Sequence, residues 1–420
     1  MLVRFPYGRG YLEANLPEDA QILYSREAPV ISDIDGEVAR SLENPIGSPP
    51  LKEFLKDSKN PLLIIPDKTR AFPSRTILPT VVRYVRENSR DSNLRILVAT
   101  GFHEPVSERE IREMVGEEIA GSIPIVNHVA VEADQIEYLG EKTSHGTPIE
   151  VNKMVLESDF VMGLGLIEPH FFAGYSGGRK SMLPGVAGER AIFSNHSFRM
   201  VDHPNARTGV LEGNPIHEDM VEFAKKTGLS FILNVTLNKE KKVTGIFAGD
   251  PFAAHLDGVK HLDRFMRVKP EEKTEIVITT NGGFPLDRDL YQAVKGIDTA
   301  SMIVKDGGVI IIASECLDGL GGHIEFLKLA KGLKSPEEMI ERIKAEEPVF
   351  DQWQVQILAR ALKKSQIILV SHNIDEGTAR DFLMEKAGSL EEALEKAYEI
   401  VGRDAGITAI PEGPYIIPES

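Results

Sequence analysis

Short apolar runs rich in β-branched residues alternate with amphipathic stretches along most of this chain, and that alternation predicts an α/β protein with a largely parallel sheet. A polar break, VKPEEKT at 268–274, is followed by a fresh strand pattern. It divides the chain into an N-terminal Rossmann-like α/β domain over 1–273 and a second, smaller α/β domain over 274–404. The Pro-rich tail 405–420 is expected to rejoin the first domain. A length of 420 residues, at roughly 150 per domain, leaves room for two or three units.

In chain order, buried strands are predicted at Leu62–Ile65, Leu94–Val98, Ile123–Val126, Phe160–Met162, Phe231–Val235, Ile276–Thr279, Val309–Ile312 and Ile367–Val370. Helical spacing runs through Ile77–Val85, Glu108–Met114, Pro251–Met266 and Leu290–Val304. Ser107 with Glu110, and Ser389 with Glu392, have the spacing of capping boxes, in which a hydroxyl and a carboxylate satisfy orphan amides at a helix start. No internal repeat or low-complexity segment interrupts the pattern.

The 48 basic and 64 acidic residues leave a net charge of −16, which repels phosphate backbones and anionic lipid, so neither nucleic acid nor membrane is an expected partner. Cys316 is the single cysteine and cannot close an internal disulfide or build a thiolate metal site. No run approaches the ~18 apolar residues of a spanning helix, and the start lacks a signal-peptide pattern, so a soluble cytoplasmic protein is expected.

The unusual residues follow strands. PDKTR (Pro66–Arg70) follows LLII, ATGFH (Ala99–His103) follows RILV, GLGLIEPHFFAGYSGGRKS follows DFVM, and TTNGGFPLDRDLYQAVK follows EIVI. Open α/β sheets bind ligands at the carboxyl ends of their strands, so the first three loops are expected to share one cleft. Gly174–Ser181 suggests a phosphate-cradling loop, but a P-loop needs glycine where Arg179 stands. A dinucleotide fingerprint fits Gly163 and Gly165 and fails at Glu168, which reads as a turn.

Lys180 follows two flexible glycines in an otherwise apolar segment, a setting in which a lysine can become a nucleophile or covalent anchor, unless it is only a solvated or anion-pairing lysine. Most of the eleven histidines, such as His128, His145, His255 and His261, sit in structural or exposed contexts. His103 and His170 each border Pro or Gly in a loop leaving a strand and could act as an acid–base pair, while His196 could be a lone metal ligand. Asp67, Lys68, Thr69 and Arg70 form a polar strand end in which the guanidinium suits an anionic ligand, unless it only pairs with Asp67. Gln292 and Lys295 share a helix face beside Tyr291, and Trp353, the only tryptophan, reads as core, the commoner fate on an amphipathic helix.

Taken together, D-x-x-R at Asp67–Arg70, T-G-x-H at Thr100–His103, P-H-x-x-x-G-Y-S-G-G-x-K at Pro169–Lys180, His196, Y-Q-x-x-K at Tyr291–Lys295 and Trp353 resemble the nickel-pincer-dependent lactate racemases and their 2-hydroxy-acid racemase and epimerase relatives. The resemblance implies two α/β domains with the active site in the cleft between them. It also implies a nickel-pincer nucleotide, pyridinium-3,5-bisthiocarboxylic acid mononucleotide, joined to Lys180, with His196 as the protein ligand of nickel. Asp67, Lys68, Thr69 and Arg70 would contact the cofactor, His103 and His170 would be the acid–base pair, and Tyr291, Gln292, Lys295 and Trp353 would bind substrate. The expected partners are a small 2-hydroxy acid and the proteins that assemble the cofactor. Two other readings remain at this point: a phosphate- or nucleotide-binding enzyme using Gly174–Ser181, and a non-catalytic hydroxy-acid-binding protein.

Overall fold

The computed structural model describes residues 1–89, 92–345 and 347–419. The chain forms two compact units, Glu27–His196 with Asn205–Phe265, and Met1–Arg26 with Ser197–Pro204 and Met266–Ser420. Each is built on a six-stranded sheet. In chain order the sheet strands are β1 (Gln21–Ile22), β2 (Pro61–Pro66), β3 (Arg95–Ala99), β4 (Ile125–Asn127), β5 (Phe160–Leu166), β6 (Phe231–Leu237), β7 (Val243–Gly249), β8 (Thr274–Thr280), β9 (Val304–Ala313), β10 (Ser365–Val370), β11 (Glu385–Ala387) and β12 (Ile407–Ile410). The helices used below are α1 (Ser74–Asn88), α2 (Glu108–Val115), α3 (Glu189–Asn195), α4 (Leu290–Ser301), α5 (Gln352–Leu362) and α6 (Leu390–Val401).

The first sheet runs β7-β6-β5-β2-β3-β4 and is parallel except for the edge strand β7. Residues 61–65 of β2 and all of β5 are buried, as a strand covered on both faces requires. The chain builds β3 and β4 on one side of β2, then returns to lay β5 and β6 on the other. The loops after β2 and β5 therefore diverge from adjacent strand ends, the topological switch point where open α/β sheets hold ligands.

The second sheet, β11-β10-β9-β8-β12-β1, is entirely parallel. Here the structure departs from the sequence reading of the tail. Residues Ile407–Ile410 pair with β8, and β1 pairs with them in turn, so both chain ends join the second sheet rather than the first. The predicted helix over Leu290–Val304 is also shorter: α4 stops at Ser301, and Val304 opens β9. A buried apolar residue just past a helix end satisfies either period, so spacing does not separate the two. Ser107 and Glu110 form the full capping box on α2. Ser389 caps α6, but Glu392 accepts from the Gly388 amide instead. Among the described residues, no helix is long and apolar enough to cross a membrane.

Candidate active site

Beyond β5 the chain folds back on itself, with Pro169–His170 antiparallel to Gly174–Tyr175 and Phe171 to Ala173 in the bend. The next turn, Gly178–Ser181, lies on β5 because Gly163 leaves room: a Cβ there would stand 2.6 Å from Ser181 Oγ. A Cβ at Gly165 would sit 3.1 Å from Asn234 Nδ2. Both glycines are therefore packing positions inside a strand, not the turn that a partial dinucleotide fingerprint suggests.

Phe172 is the hub of this region. The His170 ring meets it edge-on at 4.5 Å, the His196 ring does so at 5.0 Å, and Lys180 Nζ lies 5.7 Å over its face. His170 Nε2 is 3.3 Å from Lys180 Nζ. The Ala173 amide nitrogen lies 3.3 Å from His170 Nδ1, on the side of the ring away from the amine. His196 follows α3 and is only 5% exposed. Burial first, and the Lys180 charge second, hold its imidazole well below the ordinary value. It is thus neutral, the form that ligates a metal.

The loop after β3 is docked onto the same segment. The Gly101 amide donates to Gly185 O at 3.1 Å, and Phe102 packs against Phe193 of α3 with centroids 4.9 Å apart. His103, beside Phe102, places Nδ1 2.6 Å from Asp67 Oδ2. The other oxygen of Asp67 accepts from the Thr69 amide and hydroxyl at 2.8 and 2.6 Å. Burial pushes the Asp67 carboxyl up, but the hydrogen bonds from His103 and Thr69 and the charges of His103 and Arg70 outweigh it, so the group lies below its ordinary value. An anionic, buried carboxylate fixes the His103 tautomer and leaves the Nε2 lone pair on a half-exposed ring. Lys68 turns aside to Glu110 of α2, at 2.5 Å, while Arg70 is exposed.

The glycine loop has little to offer a phosphate. The amide of Ser176 goes to Glu168 O, that of Gly178 to Asn234 Oδ1 and that of Lys180 to Gly177 O. A P-loop keeps such amides free for the ligand. Arg179 is buried and braces the loop from behind, donating to Ala173 O and Gly177 O and lying 3.1 Å from His255 Nε2. Desolvation brings His255 down to about 3 and, with the Arg179 charge next, His217 down to about 2.

His128 is also structural, between Ala187 O and the Asn152 amide nitrogen, and burial lowers it to about 4. Below pH 6.5 the unfolded chain takes up a proton that this native ring refuses, so stability is lost as pH falls toward 4. The loss from His128 alone is about 3 kcal/mol. Denaturant unfolding at pH 7 and pH 4 checks this, and His128→Gln is expected to flatten the dependence.

In the second unit, Trp353 Nε1 of α5 donates to Tyr291 Oη at 3.3 Å, while the Gln354 side-chain amide caps Tyr291 O. Asp289 caps α4 through the Gln292 amide, and Gln292 and Lys295 are both half-buried.

Residues 7–209 match the lactate racemase N-terminal domain and residues 269–417 the lactate racemase C-terminal domain. The chain belongs to the lactate racemase family. It is 40% identical to the lactate racemase of Thermoanaerobacterium thermosaccharolyticum, over 99% of this chain and 98% of that one. It is equally identical to the lactate racemase of Lactiplantibacillus plantarum, over 99% of each. The solved lactate racemase apoprotein from T. thermosaccharolyticum superposes over the whole of both chains with a TM-score of 0.95 at 39% identity. A Thermotoga maritima protein of 16% identity, TM-score 0.68 over 94% of this chain and all of that one, shares the fold alone. As a member of the lactate racemase family, this chain is an enzyme, an isomerase of the racemase type.

The donor set bears on what cofactor this chain could hold. Among the described residues, no three His, Cys, Asp or Glu side chains are placed to bind a metal by themselves, and Cys316 is buried in the other unit. A metal beside His196 would need its remaining ligands from an organic group, and the neighbouring Lys180 amine is placed to tether one. The site therefore fits a cofactor that brings its own metal ligands. Sequence reasoning missed Phe172, although its place two residues after His170 was a usable signal. It also missed the Asp67–His103 bond, because residues 36 apart carry no local mark of contact.

Proposed function

We propose that this enzyme inverts C2 of a 2-hydroxy carboxylate, with lactate the first substrate to test, using a nickel-pincer nucleotide joined to Lys180. The observation that carries the proposal is the convergence of the Lys180 amine with His170 and a neutral His196 around the Phe172 ring. When bound, the cofactor supplies an acceptor and donor of hydride at the substrate carbon. Lys180 is the tether, His196 the protein ligand of nickel, and Asp67–Arg70 the stretch that contacts the nucleotide. Arg70 and Lys68 bring positive charge to a phosphate, with Lys68 first leaving Glu110.

The protein's own part in the chemistry is proton movement. Direct removal of the α-hydrogen as a proton would leave a dianion, so the hydroxyl proton leaves instead as the hydrogen departs with its electron pair, giving a 2-keto acid. The hydroxyl points to opposite sides in the two enantiomers, which calls for two bases. His103 is one, oriented by Asp67. His170 is the other, held by stacking on Phe171 and by the edge of Phe172. Tyr291, Gln292, Lys295 and Trp353 are assigned to substrate binding, with Lys295 suited to the carboxylate.

Racemisation assays over chiral 2-hydroxy acids, on protein co-produced with the cofactor-assembly proteins, test the reading; inversion of none would refute it. Asp67→Asn is expected to lower kcat about tenfold or more while nickel stays bound, because the asparagine amide can present a donor to Nδ1 and favour the wrong tautomer. An unchanged kcat would remove Asp67 from the account.

A further inference from the structure

The second unit holds a dyad that resembles Asp67–His103 in construction and has no part in the reading above. His323 Nδ1 lies 3.1 Å from Asp351 Oδ2, and the His323 backbone amide donates to the same oxygen. In both dyads the carboxylate is buried and the imidazole half-exposed, 2% and 43% for Asp67 and His103, 3% and 46% for Asp351 and His323.

Asp351 sits at the N-cap of α5 with φ 63°, and its side chain caps no amide of that helix. An aspartate at an N-cap ordinarily serves its own helix. This one adopts the left-handed region and is spent on His323. Phe350 stacks on the imidazole at 4.8 Å, so the ring is fixed by a bond at one nitrogen and by a face, while Nε2 has no partner among the described residues.

The location supplies the role. Gly322, at φ 66°, threads between Asp351 and Tyr291: a Cβ there would stand 2.8 Å from both Asp351 Oδ2 and Tyr291 Cδ2. Leu320 O and Gly319 O accept from the amides of Tyr291 and Leu290, locking the loop to the start of α4. The His323 dyad is thus built against Tyr291, which in turn carries Trp353.

We infer that His323, oriented by Asp351, is a specificity residue that hydrogen-bonds an oxygen on the side chain of the 2-hydroxy acid, beyond C2. A hydroxyl there donates to the neutral ring, and a carboxylate accepts from the protonated one. The inference rests on the assignment of Tyr291 and Trp353 to substrate binding.

The test uses cofactor-loaded wild type, His323→Ala and Asp351→Asn, the last because asparagine tolerates a left-handed backbone. Racemisation of lactate, glycerate and malate is measured with nickel content and melting temperature. His323→Ala is expected to lower kcat/KM for glycerate or malate, relative to lactate, by about tenfold through KM. Asp351→Asn is expected to shift it the same way by less. Glycerate alone falling identifies the hydroxyl, malate alone the carboxylate. Wild type that racemises lactate but neither polar acid overturns the inference. So does an equal fall for all three acids, which would make His323 part of the chemistry, or a lower melting temperature with unchanged selectivity, which would make the dyad a loop clamp. Wild type that inverts no acid sinks the reading of function, and this inference with it.

Discussion

His103→Ala and His170→Ala are each expected to lower racemisation by about 10²–10⁴-fold while nickel content and melting temperature stay close to wild type. The equilibrium constant of a racemisation is unity, so kcat/KM for the two enantiomers must fall together in each variant. The variants should nevertheless differ in one respect. Each keeps the base for one face, so each should still convert one enantiomer, and not the other, to trapped 2-keto acid. The preferred enantiomer should be opposite in the two. His103 depends on Asp67 for its tautomer, while His170 is held in place by stacking on Phe171. Full activity in either variant removes that histidine from the chemistry, and the same enantiomer trapped in both contradicts the two-sided arrangement.

Lys180→Ala and Lys180→Arg are both expected to abolish cofactor retention and reduce activity to background. The two substitutions separate the amine from its charge. Arginine keeps a cation over Phe172 but offers no nucleophile, because its guanidinium stays protonated. If the cation alone mattered, Lys180→Arg would retain cofactor. Melting temperatures near that of the wild-type apoprotein are expected for both, since the loop is braced by Arg179 and by backbone bonds that do not involve the lysine side chain. Bound nickel surviving in either would detach Lys180 from the cofactor.

Much of the architecture could be read from local pattern. Continuous buried runs such as PLLII and the full box at Ser107 and Glu110 state their structure within a few residues. The first 26 residues and the tail did not. Two- and four-residue strands, Gln21–Ile22 and Ile407–Ile410, have too few positions to show a period, and their choice of sheet depends on an edge left open by β8, far away in sequence. At the site, the glycine loop, Lys180 and the loop histidines announced themselves by neighbouring residue types. The partners that orient them did not: Asp67 lies 36 residues from His103 and Asp351 lies 28 from His323. Such pairs are created by strand order and loop docking, which a single sequence does not display.

The most direct measurement is peptide mass analysis of wild-type protein co-produced with the cofactor-assembly proteins, together with nickel determination on the same sample. An added mass on the peptide containing Lys180 and stoichiometric nickel are expected in every preparation that racemises a 2-hydroxy acid. An active preparation with an unmodified Lys180 peptide and no nickel would contradict the proposed cofactor.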